Sequence, residues 1–80
     1  MNVFVDTSAL LALRNPQDRS YEMAVQIWQR LIEDNQPLWT TNYVLLETIT
    51  LLQARHGLQA VHIFQSSMLP FLHVIWIDAE

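Results

Sequence analysis

Asn2-Val3-Phe4-Val5-Asp6-Thr7-Ser8 is the stretch whose reading decides the fold. Val3, Phe4 and Val5 make a short apolar run of β-branched and aromatic side chains, which favours a buried strand. Asp6 follows, then two hydroxyl residues, then the apolar series Ala9-Leu10-Leu11-Ala12-Leu13. This order predicts strand, tight turn and helix, with Asp6 at the carboxyl end of the strand. Ligands of open α/β sheets bind at that end, where loops and helix N-termini converge. A carboxylate there is a candidate metal or catalytic group. A plainer role is open to the same residues, because Asp6, Thr7 or Ser8 can cap the next helix by accepting from its free backbone N–H groups.

Outward from this stretch, the chain reads as helices alternating with short strands. Asn15-Pro16 ends the first helix. Asp18 or Ser20 can cap the second. Its apolar positions are Tyr21, Ala24, Val25, Trp28, Leu31 and Ile32, the spacing of one buried face, and they are assigned to packing. Asp34-Asn35-Gln36-Pro37 closes that helix. Leu38-Trp39-Thr40 is a brief second strand, and Thr41 or Asn42 caps a third helix running to about His56. Gly57 suits the left-handed position that ends a helix. A fourth helix covers roughly Leu58 to Leu69, until Pro70 stops it. Phe71 to Ile77 is a third strand, apolar on both faces like a buried parallel strand. Asp78-Ala79-Glu80 resembles the cap and first turn of a further helix. Strands separated by helices imply right-handed crossovers and a parallel sheet. No repeat, low-complexity tract or linker interrupts the pattern, so residues 1–80 read as one domain.

Composition narrows the function. A chain of 80 residues buries only about 60–65 % of its unfolded surface, yet 51 % of its residues are apolar. Some apolar surface is therefore expected to stay outside unless a partner covers it. There is no Cys, so neither a disulfide nor a thiolate metal site is available. No apolar stretch approaches the ~18 residues of a membrane span, and Asp6 interrupts the only run that a signal peptide could use. The expectation is a cytoplasmic protein with no membrane partner. Four Arg, no Lys and eight acids give a net charge of −4. That is a poor field for binding nucleic acid directly, since such binding uses cations to displace phosphate counterions. An acidic site can still hold phosphates through a divalent cation. His56, His62 and His73 are far apart in this reading and are taken as surface or packing residues.

Glu47 is the second informative acid. It sits in Tyr43-Val44-Leu45-Leu46-Glu47-Thr48-Ile49-Thr50-Leu51-Leu52, which is apolar on nearly every side. The residues one helical turn away include no cation, so no local ion pair can form. An ionised carboxylate on a mostly buried helix costs several kcal/mol unless compensated. A hard divalent cation shared with Asp6 would compensate both acids, and Mg²⁺ and Mn²⁺ favour such oxygen ligands. The alternative is that Glu47 lies on an exposed strip beside Tyr43, Thr50 and Ala54. Two carboxylates give little control over the open positions of one cation, so they are thin for hydrolysis.

Val3-Phe4-Val5-Asp6-Thr7-Ser8-Ala9-Leu10-Leu11-Ala12-Leu13 resembles the opening of PIN domains, especially the VapC-type toxin ribonucleases. Thr40-Thr41-Asn42-Tyr43-Val44-Leu45-Leu46-Glu47-Thr48 resembles the family's second motif, and the spacing between the two also fits. The resemblance covers all 80 residues. It implies a three-layer α/β/α PIN-like fold with a parallel sheet, here shortened to about three strands and four helices. It also implies Mg²⁺- or Mn²⁺-dependent cleavage of RNA, with Asp6 and Glu47 as catalytic metal ligands and Thr7 and Ser8 as supporting hydrogen-bonders. An antitoxin protein is the implied partner. The family's remaining acids lie further along the chain, and neither Asp78 nor Glu80 takes their role. The domain is thus expected to be incomplete at its C-terminus. The strand ending at Asp6, central in the family's sheet, becomes an edge that invites pairing with another chain, giving a homodimer or higher oligomer. The expected function is the N-terminal part of a VapC-type endoribonuclease, weakly active or inactive as 80 residues. The alternatives are a non-catalytic PIN-derived binding or oligomerisation module, and a shortened piece of an ordinary toxin.

Overall fold

The computed structural model describes residues 2–78, so Ala79 and Glu80, which were expected to begin a further helix, lie outside the described residues. The elements follow in the expected alternation. They are β1 (Val3–Phe4), α1 (Thr7–Leu13), α2 (Tyr21–Glu33), β2 (Leu38–Thr41), α3 (Asn42–His56), α4 (Leu58–Ser67) and β3 (Leu72–Ile75), with a single 3₁₀ turn at Leu69–Phe71 between the last two. Local chemistry accounts for most boundaries. Thr41 Oγ1 accepts from the Val44 N–H at 3.1 Å and caps α3. Pro70 lies in the 3₁₀ turn that replaces the predicted last turn of α4. Gly57 joins α3 to α4 at φ 90°, ψ 175°. This is positive φ, but not the left-handed helical conformation expected from sequence. It is a conformation nearly restricted to glycine.

All three strands run parallel, with β2 in the middle of the order β1-β2-β3. Val3 pairs with Leu38 and Phe4 with Trp39 on one side. On the other, Leu38 to Thr41 pair with Leu72 to Ile75. The strand leading to Asp6 is therefore an edge, as expected. The core lies where Leu38 and Leu72 meet Leu10 of α1, Leu52 of α3, and Val61, Phe64 and Met68 around α4.

Burial departs from the sequence reading in three places. Phe4 is exposed, although the apolar run around it predicted a buried strand. β3 is shorter than Phe71–Ile77, and Ile75, Trp76 and Ile77 are exposed rather than buried on both faces. No residue of α2 is fully buried, although its apolar stripe is regular. The common cause is that β1 and β3 are both edges of a three-stranded sheet. Apolar side chains at such edges have no neighbouring strand to cover them.

The segment after β3 is held by a side chain in place of a strand. Asn42, the first residue of α3, accepts from the Ile77 N–H at 2.8 Å through Oδ1 and donates to the Ile77 carbonyl at 3.2 Å through Nδ2. The amide imitates the paired groups of a β-ladder. Asn42→Ala removes both bonds and is expected to cost about 1 kcal/mol, since the pair is solvent-exposed. Urea denaturation reads that loss, and faster amide exchange at Ile77 localises it.

Candidate functional site

The site forms where β1 ends and α1 begins. The apolar pull of Val5, which is buried, carries the chain into the core and leaves Asp6 exposed at the carboxyl end of the sheet. Asp6 is the N-cap of α1. Its Oδ1 accepts from the Ala9 N–H at 3.1 Å and from the Ser8 hydroxyl at 2.9 Å. The plain capping role is therefore real, and it uses one carboxylate oxygen. Asp6 Oδ2 makes no hydrogen bond with the described residues.

Glu47 comes to this place from α3, which packs against α1. Thr7, the residue after Asp6, donates its hydroxyl to Glu47 Oε1 at 3.0 Å, with a longer approach of 3.5 Å to the Val44 carbonyl. Asp6, Thr7, Ser8 and Glu47 line one open depression, whose walls are Leu11, Val44 and Leu51. Sequence reasoning named all four polar residues but not the three apolar walls. The walls follow from the i−3 and i+4 neighbours of Glu47 on α3, and from Leu11 one turn along α1.

α3 does not bury Glu47, contrary to what its apolar neighbours suggest. Glu47 is exposed, together with Tyr43, Leu46, Thr50 and Ala54, so it does lie on a solvent-facing strip of α3. The cost of burying a carboxylate therefore does not argue for a cation here. What remains is the donor set, two hard carboxylates around a shared opening. Their hydrogen-bond partners are hydroxyls and a backbone N–H, none of which carries the positive charge that would neutralise them. Such oxygens suit Mg²⁺ or Mn²⁺, which would keep several waters. Among the described residues no group of three or more His, Cys, Asp or Glu side chains is placed to hold a metal. The acids number two, as the sequence shows. Of the histidines, His73 stacks on Trp39 with ring centroids 4.8 Å apart.

Thr40 and Thr48 are fully buried, and their hydroxyls find no partner among the described residues. Neither lines the depression. No helix among the described residues is long and apolar enough to cross a membrane.

No family model matches the chain, and no curated protein matches it. Among solved structures, the chain is similar to the crystal structure of Mycobacterium tuberculosis VapC20, titled a Sarcin-Ricin loop cleaving toxin. The TM-score is 0.73 and the identity 34 %, over 96 % of this chain and 58 % of that one. The chain thus spans less than two thirds of the toxin's length. Three parallel strands, four helices and this likeness agree with the two motifs, and the chain carries the PIN-like fold of the VapC-type toxins.

Proposed function

We propose that the chain is the N-terminal part of a metal-dependent endoribonuclease of the VapC type, with RNA as substrate. In this reading Asp6 and Glu47 hold one Mg²⁺ or Mn²⁺. The observation that carries it is the Thr7–Glu47 hydrogen bond of 3.0 Å, which ties an acid 40 positions away to the residue following Asp6. The likeness to a toxin described as cleaving the Sarcin-Ricin loop supports the substrate class. When bound, the cation supplies charge balance for a phosphodiester and a means to activate water. The chain's own residues hold the ligands still: Ser8 and the Ala9 N–H fix Asp6, and Thr7 fixes Glu47. With no Lys and a net charge of −4, the chain has little other means of attracting phosphate. An antitoxin protein would act by covering the open depression. Two carboxylates control the cation loosely, so the 80 residues alone turn over RNA weakly or not at all.

RNA cleavage at high protein concentration with Mn²⁺ tests this. A trace activity lost in Asp6→Asn supports the reading. Strong cleavage that Asp6→Asn leaves untouched means that this site does not do the chemistry. Strong cleavage abolished by Asp6→Asn and Glu47→Gln alike shows that two acids suffice, against the expectation of weak turnover. A non-catalytic binding module is the second reading, favoured by the apolar groove beside β1.

A further inference from the structure

α3 carries Tyr43 one turn before Glu47, and both belong to the same solvent-facing strip. Residues four apart on a helix have Cβ atoms about 5–6 Å apart. Helical side chains lean toward the N-terminus, so the side chain of Glu47 lies over the turn that holds Tyr43. Tyr43 is 47 % exposed, and Leu46, three positions on, is 65 % exposed. Ring and leucine together make an apolar ledge beside the acidic depression. Trp28 packs edge-on to Phe71 and Trp39 tilts against His73, whereas Tyr43 belongs to neither pair.

The charge of the chain gives this ledge a use. Among the described residues, Asp6 and Glu47 are the only ionisable side chains lining the depression. Charge balance from one cation shared by these two acids serves one phosphate. The phosphates on either side meet a chain of net charge −4 with no Lys. Binding a strand through its backbone charge is therefore unfavourable here. The bases carry no charge, and each has a π face that stacks on an aromatic ring.

We propose that Tyr43 is the stacking platform for a nucleobase next to the scissile phosphate, with Leu46 as its apolar flank. The proposal rests on the ribonuclease reading of Asp6 and Glu47. Tyr43 takes no part in bond cleavage. A base stacked on it ties one nucleotide beside Glu47 and so sets which phosphate faces the two acids. A purine presents a larger face than a pyrimidine, so adenine is held more tightly than uracil. A base inside a duplex is already stacked on its neighbours and offers no free face.

Fluorescence anisotropy of labelled oligoadenylate and oligouridylate of equal length, with Mn²⁺, tests this. The unaltered chain is expected to bind oligoadenylate more tightly. Tyr43→Ala should weaken oligoadenylate binding about 5- to 150-fold, the range that one base–aromatic stack supplies, and should erase most of the preference. Tyr43→Phe keeps the ring and should keep the preference. Phe71→Leu is the control, because Phe71 is also 47 % exposed but lies in the turn that enters β3, at the other end of the sheet. It should change the binding of neither strand. Stacking is uncharged, so the ratio between Tyr43→Ala and the unaltered chain should hold as KCl is raised.

Unchanged binding in Tyr43→Ala overturns the proposal, as does an equal loss for the two strands. Tyr43→Phe losing as much as Tyr43→Ala overturns it too. Failure of the ribonuclease reading looks different. Mn²⁺-dependent binding that Asp6→Asn leaves intact removes the acids from the site, whatever Tyr43→Ala does. Binding lost in Asp6→Asn but unchanged in Tyr43→Ala keeps the acids and sinks the stack alone. An unaltered chain that binds neither strand overturns both.

Discussion

Phe64→Ala is expected to cost about 3–5 kcal/mol, the range for truncating a fully buried aromatic side chain. Phe64 has no exposed surface and lies in the one cluster that includes Leu10, Leu38, Leu52, Val61, Met68 and Leu72. That cluster is where residues of α4 meet residues of β2, β3, α1 and α3. A domain has a total stability of roughly 0.05–0.15 kcal/mol per residue, or about 4–12 kcal/mol for 80 residues, so this loss takes a large share of it. Phe64→Ala should therefore lower the urea midpoint by about a quarter or more, and at the low end of that stability range leave the chain unfolded without denaturant. Trp76→Ala is the contrasting case. Trp76 is a larger side chain but is 76 % exposed, and its removal should change stability by less than about 0.5 kcal/mol. Urea titration of the two variants beside the unaltered chain checks both. An equal loss in the two would mean that exposure here does not rank the apolar residues.

Element order was legible because the chain marks its own boundaries. Thr41 caps α3, Asp6 caps α1, and Pro16, Pro37, Gly57 and Pro70 all fall between regular elements or in the 3₁₀ turn. These are local effects, which a linear reading sees. Burial was less legible. The period of α2 and the apolar runs at Val3–Val5 and Phe71–Ile77 report what a segment is able to bury. Whether anything covers it depends on the neighbouring strand, and among the described residues β1 and β3 each lack one on their outer side. The same limit explains Glu47. Its neighbours Leu46 and Tyr43 are apolar and suggest an interior, yet they are 65 % and 47 % exposed. Asp6 was easier to place, because a carboxylate directly after an apolar strand falls at the end of the sheet whatever packs around it. The Thr7–Glu47 bond joins residues 40 apart. It depends on how α3 is rotated against α1, which no periodicity encodes.

Asp6 and Glu47 can each lose their charge and keep a hydrogen-bond acceptor. Asp6→Asn removes a charge but keeps an oxygen that can accept from Ala9 N–H and Ser8, and Asn caps helices as well as Asp does. Glu47→Gln likewise keeps an acceptor for the Thr7 hydroxyl. Both variants should therefore fold with melting temperatures within a few degrees of the unaltered chain. If Asp6 and Glu47 share a cation, each variant should lower Mn²⁺ affinity at least about tenfold, a difference of about 1.4 kcal/mol. The double variant should then lose little more than either single one, because a shared ion is released once either ligand fails. Asp6→Ala distinguishes charge from cap: it should lose the same affinity and also about 1 kcal/mol of stability. Paramagnetic resonance of free Mn²⁺ measures affinity, and thermal melts without metal measure the fold. Additive losses in the double variant would indicate two independent weak sites, and unchanged Mn²⁺ affinity in Asp6→Asn would remove the metal from this depression altogether.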